Sequence, residues 1–539
     1  MRDGRREGDA IHDVIVVGSG AGALTGALTA AADGLDTVVL ERTALLGGTS
    51  AYSGAACWLP GTQVQQRADL GDSTEAARAY LRALVGDAGA KRREAFLRHA
   101  PELVARLEGD PAVEFEWRAF PDYVAAPGRM DAGRSVVPLD LPTDRLGDLL
   151  HLVRPAVDRD RSGQGHPDAP LTAGRALIGR LLLAATRTGN ATVRTEHRVT
   201  GLLTEDGRVT GVEARTPHGT VTLRARFGVL LAAGGFEGDD ALRAEHGVPG
   251  GAAWTMAPRA TNTGDLLRAA VRIGAATELM DEAWWCPGTQ RPDGTAAFTL
   301  GLRGGLVVDG SGRRFANESL PYDRMGRALA AADAPAHLVF DSREGGALPA
   351  ITVPPADAAE HLAAGTWVRA DSLPELARHI GVPADALADT VARFNGFAAT
   401  GTDADHHRGE DPYDRFFADT RDAPGPNPCL VPLDRPPYYA ARLVLADLGT
   451  KGGLRTDAHA RVLGTDGGPV PGLYAAGNTS ASFTGRVYPG PGVPIGTAMV
   501  FASLAVRHMA LPASGISGGA AGGARSTVTA PPGRTERGA

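Results

Sequence analysis

Three glycines, Gly18, Gly20 and Gly22, stand between an apolar run, Asp13–Gly18 (DVIVVG), and a stretch rich in Ala, Leu and Thr, Ala21–Ala32. Gly18-Ser19-Gly20-Ala21-Gly22-Ala23 fits the spacing G-x-G-x-x-A at a strand-to-helix junction, a pattern that cradles a pyrophosphate. Gly18 permits the tight turn, Gly20 lets the backbone approach the ligand, and Ala23 allows close packing of the helix. Where the helix starts, at Ala21 and Gly22, free N–H groups and the dipole meet the negative charge. Glu41 closes a second apolar run, Asp36–Glu41, about 20 residues on, where a ribose hydroxyl needs an acceptor. Its charge disfavours a 2′-phosphate, a bias that the adjacent Arg42 softens.

A second glycine-rich turn decides between NAD and FAD. Gly47-Gly48-Thr49-Ser50 and then Tyr52-Ser53-Gly54-Ala55 supply glycines and hydroxyls suited to a longer cofactor, with ribitol and flavin to hold. Ala232-Ala233-Gly234-Gly235-Phe236 and Gly472-Leu473-Tyr474-Ala475-Ala476-Gly477-Asn478 are two further strand-to-glycine junctions. FAD is the expected cofactor, with Val199 added to these contacts.

The groups need a scaffold. Asp13–Gly18 and Asp36–Glu41 read as buried parallel strands around a helix that ends at Asp33-Gly34, a βαβ unit. The pattern predicts helices from Asp72 or Ser73 to about Leu84, over about Lys91–Leu107, and over Ala173–Thr188 capped by Thr172. Val193–Val212 reads as a hairpin turning at Asp206-Gly207, Asp158–Pro170 as an exposed loop, and Phe227–Gly235 as a buried strand. Near Leu279 the composition changes, and a region of strands and helices runs to about Leu445. Leu473–Ala476 then resumes the buried-strand pattern, with a helix over about Ile495–Met509.

Composition excludes several classes. With 539 residues, two or three domains are expected. The 71 glycines are nearly twice the usual share of about 7%, which fits close backbone approaches and many tight turns. Lys+Arg of 55 against Asp+Glu of 62 gives a net charge of −7 with no long basic run, so nothing supports nucleic-acid binding or a polybasic anchor. Lys91 and Lys451 are the lysines, which disfavours Schiff-base chemistry. Cys57, Cys286 and Cys429 are far apart and outside any C-x-x-C, so a disulfide framework is not expected. No signal peptide or membrane-spanning run is read; the best apolar stretch, near Val500–Ala513, is broken by Arg507 and His508. The expected location is cytoplasmic.

GGTSAYSGA, AAGGF and GLYAAGN resemble blocks of the fumarate reductase and 3-ketosteroid dehydrogenase group of FAD enzymes. FPDYVAAPG, MDEAWW, RRFANESLPY, RFNGFAATGTDAD, PPYYAA, DLGTKGGL and GRVYPGPGVPIGTAM narrow the resemblance to 3-ketosteroid Δ1-dehydrogenases, over about Asp13 to Ala510. The resemblance implies a role for three tyrosines and one backbone N–H. Tyr322 in NESLPY matches the proton-abstracting tyrosine, and Tyr488 and Gly492 in VYPGPG match the pair that binds the C3 carbonyl. Tyr123 in FPDY matches the tyrosine that supports the base. The chemistry is coherent: desaturating a ketone removes a proton α to the carbonyl and a hydride from the β carbon. Two donors on the developing enolate oxygen act as an oxyanion hole, and a phenol with an ordinary value near ~10 needs help to act as a base.

Departures and alternatives stand beside this. Phe120 occupies a position where some relatives have another tyrosine, and Val493-Pro494 replaces Ala-Thr or Gly-Thr after PGPG. Proline there removes a donor and stiffens the loop. Trp284 and Trp285 line a steroid cleft or pack in the core, and Tyr438 and Tyr439 belong to packing or to the pocket wall. His406-His407 reads as a solvated pair, with no metal expected. Cys286 and Cys429 read as small apolar residues. Arg486 is structural or near the flavin rather than a clamp for an acidic substrate, because the reductase branch pairs its arginine with a histidine in a different motif.

The expected fold is α/β: a Rossmann-type, glutathione-reductase-like FAD-binding domain at 1–278 and 447–512. An inserted α+β substrate and catalytic domain occupies 279–446, and 513–539 is a disordered tail. The expected activity is 1,2-desaturation of a ketosteroid-like substrate, with an electron acceptor that no motif identifies. The alternatives are desaturation of another cyclic ketone or formation of the 4-ene, a fumarate-reductase-like alkene reductase, and a flavin-binding protein with a decayed site.

Overall fold

A computed structural model describes residues 10–418 and 425–511; the tail expected at 513–539 lies outside the described residues. β1 (Ile11–Val17) buries its β-branched run completely from Val14 to Val16. α1 (Ala21–Ala32) follows Gly20 directly and is built of small residues. That composition lets the helix Val493–Met509 pack close, since a Cβ on Gly22 would stand 2.9 Å from the Ala498 Cβ. β2 (Thr37–Leu40) runs parallel to β1, with Val14 opposite Thr37 and Val17 opposite Leu40.

β3 (Ala191–Arg194) adds parallel to β2. Residues 193–194 are therefore not part of the expected hairpin, which is formed by Arg198–Glu205 and Arg208–Thr216 around Asp206-Gly207. Glu196, at φ 56°, breaks the chain between two runs that look continuous in sequence. β4 (Gly219–Leu231) lies parallel to β1 on its other side, and the strand Pro469–Ala475 lies parallel beyond it. Early and late parts of the chain thus share one sheet.

β5 (Ala283–Gln290) opens a second, antiparallel sheet. It pairs with β6 (Ala296–Leu300), which leads to α2 (Tyr322–Ala331). β7 (Ile351–Val353) pairs outside β6, and β8 (Tyr438–Thr450) lies on the other side of β5, running past residue 446 to Thr450. A third, small sheet joins Cys57–Trp58, Ser135–Pro138 and Phe115–Trp117.

Two local expectations are corrected. Val157–Arg161 is a short helix, not loop, because Val157 is buried and the Arg154 guanidinium holds Asp160 at 2.6 Å. Thr172 occupies the cap position of Ala173–Arg187, but its hydroxyl accepts from Arg175 at 2.6 Å instead of capping the backbone.

Candidate active site

A cavity of about 630 Å3 opens at the C-terminal ends of β1, β2 and β4. All the positions expected to hold the cofactor line it except Gly47. Gly47, at φ 112°, caps the helix Gly48–Tyr52, and its N–H donates to the Ser19 hydroxyl at 2.9 Å. Gly18 is at φ 106°, and a Cβ there would meet the Ala232 carbonyl at 2.3 Å, so this turn accepts no side chain. Ala21 donates its N–H to Ser50 Oγ at 3.1 Å, which ties the two glycine turns together. Glu41 is held by the Ser19 hydroxyl at 2.6 Å and the Thr43 N–H at 2.9 Å.

These residues fit FAD. The first turn of α1 leaves N–H groups for an anion, and the cavity continues past Glu41 and Ser50 to the second sheet, longer than a single nucleotide requires. Sequence reasoning missed Thr479 and Asn262 on the same wall. The Thr479 hydroxyl donates to the Gly234 carbonyl at 2.8 Å and accepts from the Ala233 N–H at 3.0 Å, which fixes that junction.

The three tyrosines meet at the far end, brought there by separate segments. Tyr322 is the first residue of α2, directly after Pro321. Tyr488 lies in the turn before α3 (Val493–Met509). The Tyr123 segment is locked to that turn, since its N–H and the Tyr80 hydroxyl donate to the Pro489 carbonyl at 2.9 and 2.7 Å. The Tyr322 and Tyr488 hydroxyls are 2.8 Å apart, and the Tyr123 ring stands edge-on to both, with centroids at 5.2 and 5.3 Å. Tyr322, Tyr488 and Gly492 line the cavity, whereas Tyr123 packs behind them with its hydroxyl unpartnered.

Gly492 caps α3 at φ 84°, and its N–H donates to no atom among the described residues. A Cβ there would meet the Ala56 carbonyl at 2.1 Å. Pro494 falls in the first turn of α3, where a missing N–H costs no helical bond, so it leaves the Gly492 donor in place.

All three phenols are buried, and burial pushes each above its ordinary value. For Tyr322 the Tyr488 hydroxyl, hydrogen-bonded to it, pulls back toward ionisation, whereas the charge of Tyr322 pushes the other two further up. Of the three phenols, Tyr322 is thus the one whose neighbour opposes the upward push of burial. Beside it the wall is apolar: Phe298 and Leu300 of β6 stand opposite Val353 and Ile351 of β7, and the Phe298 ring is 5.1 Å from Tyr322. Sequence reasoning missed this pair of strands.

Other candidates fall elsewhere. Trp284 and Trp285 are buried and do not line the cavity; Trp284 packs on Tyr488 from behind. Tyr439 stacks on Phe340, and neither it nor Tyr438 reaches the cavity. Arg486 points away from the cavity to Asp281 and Glu282. His407 pairs with Glu410, and among the described residues no group of three or more His, Cys, Asp or Glu could hold a metal. The three cysteines are free and buried.

The family model described as FAD binding domain matches residues 13–495. The 3-oxosteroid 1-dehydrogenase of Rhodococcus opacus is 44% identical, over 92% of this chain and 98% of its own. The chain belongs to this family of FAD-dependent oxidoreductases. Another relative, the 4-oxocyclohexanecarboxylate 2-dehydrogenase of Sinomonas cyclohexanicum, is 39% identical over 96% of each chain. The crystal structure of 3-ketosteroid delta1-dehydrogenase from Sterolibacterium denitrificans in complex with 1,4-androstadiene-3,17-dione has a TM-score of 0.85 and 34% identity, covering 93% of this chain and 99% of that one. Family membership accounts for the glycine-lined cavity: the chain binds FAD. Among the described residues no helix is long and apolar enough to cross a membrane.

Proposed function

We propose that the chain introduces a 1,2 double bond into 3-ketosteroids. The observation that carries this is the pair of buried hydroxyls, Tyr322 and Tyr488, 2.8 Å apart on a wall that also presents Gly492. In this reading the Tyr488 hydroxyl and the Gly492 N–H donate to the C3 carbonyl, stabilise the enolate oxygen and acidify the neighbouring carbon. Tyr322 acts as the phenolate, its own proton having first been released to solvent. The phenolate oxygen takes the proton from C2 to become the neutral phenol, while Tyr488 turns its own proton to the substrate oxygen. Tyr123 holds the Tyr322 ring from behind. Bound FAD supplies the acceptor for the hydride that leaves C1. Phe298, Leu300, Ile351 and Val353 offer apolar surface to the rigid rings.

We further propose the finer architecture: a Rossmann-type, glutathione-reductase-like FAD domain, with the segment 279–446 as an inserted catalytic domain. The parallel order of β3, β2, β1 and β4 with the strand Pro469–Ala475 supports it.

Anaerobic mixing of the holoprotein with a 4-ene-3-ketosteroid tests the activity. Bleaching of the flavin with loss of two hydrogen atoms from C1 and C2 is the expected result. A second reading, a smaller ring ketone as substrate, is favoured by the Sinomonas relative. Flavin that stays oxidised with the steroid but bleaches with a cyclohexanone carboxylate would replace the first reading with the second.

A further inference from the structure

Lys451 is one of only two lysines in the chain, and it is buried. Its Nζ lies 4.3 Å from the centroid of the Trp284 ring and donates to the carbonyls of Arg486 at 3.2 Å and Val487 at 3.3 Å. Those two residues lead directly into Tyr488. Trp284 in turn packs edge-on against the Tyr488 ring at 4.8 Å and donates from Nε1 to Asn478 Oδ1 at 3.0 Å, on the cofactor wall. One ammonium therefore grips both the backbone that carries Tyr488 and the indole that bears on its ring. The charged groups around it are Asp323 and Arg327 of α2, Glu282 just before β5, and Arg486 of the Tyr488 turn. Among the described residues no carboxylate pairs with Nζ; Glu282 is engaged by Arg327 and Arg486, and Asp323 by Arg327. The ammonium is held by carbonyls and a π-face, contacts that depend on its charge.

We propose that Lys451 is a positioning residue of the reaction, which holds the Tyr488 hydroxyl in place through the Arg486-Val487 backbone and the Trp284 indole. The inference rests on the reading of Tyr488 as the carbonyl donor. Burial pulls the Lys451 ammonium down to about 8, against the upward pull of Asp323. Raising the pH through that value removes the cation–π contact and weakens the grip on the turn. The slope of log kcat against pH therefore decreases there, whatever slope the base imposes at lower pH.

With only Lys91 and Lys451 to label, protein grown on lysine 13C-labelled at Cε gives a spectrum readable by difference. The signal missing from K451M is expected to be shifted by the Trp284 ring and to titrate at about 8. K451M is expected to keep the flavin spectrum and lose kcat by roughly 10- to 100-fold, the scale for a group displaced by about 1 Å, with a smaller change in KM. K451R, charged throughout, is expected to retain more kcat than K451M and to lose the bend at pH 8. A Lys451 signal without ring shift that titrates near the ordinary ~10.4 overturns the proposal. So does a wild-type kcat in K451M, or a bend that persists in K451R. Should K451M not fold, K451R and the labelled wild type decide. Absence of steroid turnover in the wild type refutes the activity reading instead, while the resonance still reports whether Lys451 sits on Trp284.

Discussion

Two phenols facing one another at 2.8 Å do different work only if their surroundings differ. Both Tyr322 and Tyr488 are buried, but of the two only Tyr322 is pulled toward ionisation by the hydroxyl of the other. Y322F is accordingly expected to lower the rate of flavin reduction by about 10²–10⁴-fold, the usual range for a general base. It should also abolish wash-out of deuterium from C2 of a labelled ketone, a readout that binding losses do not mimic. Because burial raises Tyr322, turnover limited by this base rises with pH, and the rise should vanish in Y322F. Y488F is expected to cost about 2.7–4 kcal/mol in kcat/KM, the scale of one oxyanion-hole donor. Unchanged kcat/KM there would remove Tyr488 from the reaction. At this scale the glycine turn and Glu41 were legible because their chemistry is local: spacing alone brings them to one strand-to-helix junction. Tyr123, Tyr322 and Tyr488 were singled out through motifs, but their contact was not legible, since it joins positions 166 residues apart between Tyr322 and Tyr488. Nothing local marks Lys451 as special, because tertiary packing alone places Trp284 over it.

Among the elements, α3 does most to place the proposed donors. Its cap, Gly492, sits at φ 84° with the Ala56 backbone where a side chain would go. G492A must therefore move either the turn or the segment at Ala56, and with it the N–H that we propose as a donor to the substrate oxygen. We expect a loss of about 1–3 kcal/mol of stability, the usual cost of such backbone strain, seen as a lower melting temperature. kcat/KM, measured on FAD-replete protein below its melting transition, should fall further than stability alone explains. Normal kinetics in G492A would mean that another group binds the carbonyl. The helix itself was read to within two residues, since Val493 and Pro494 start it before the expected Ile495. The misreadings have one cause. Glu196 at φ 56° splits β3 from the following hairpin, and Arg154 draws Asp160 into a helix; both depend on contacts outside the local pattern.

The whole molecule is organised around a cavity whose wall starts at Val17 and ends at Ala498. The interrupted cofactor region was visible in sequence as glycine junctions at both ends of the chain, whereas the antiparallel pairing of β6 with β7 that closes the far end was not. It joins short strands about 50 residues apart, and neither carries a turn signal that points to the other. Because residues from both ends of the chain line the cavity, FAD bound there would act as a non-covalent cross-link between segments that otherwise meet through α1, α3 and the parallel sheet. A ligand that binds only the folded state stabilises it by RT ln(1 + [L]/Kd), about 4.1 kcal/mol at 1,000 times Kd. Stripped apoprotein is therefore expected to melt at a lower temperature than the holoprotein, with the midpoint rising as FAD is added back. Riboflavin lacks the pyrophosphate and adenosine that we propose the α1 turn and Glu41 hold, so it should restore little. Replacing Gly18 with alanine should reduce the FAD-dependent rise, because its Cβ would meet the Ala232 carbonyl at 2.3 Å. Differential scanning calorimetry across an FAD series checks all three. An apoprotein as stable as the holoprotein would mean that the protein alone holds the two ends of the chain together, and that the glycine turns serve binding without contributing to the fold.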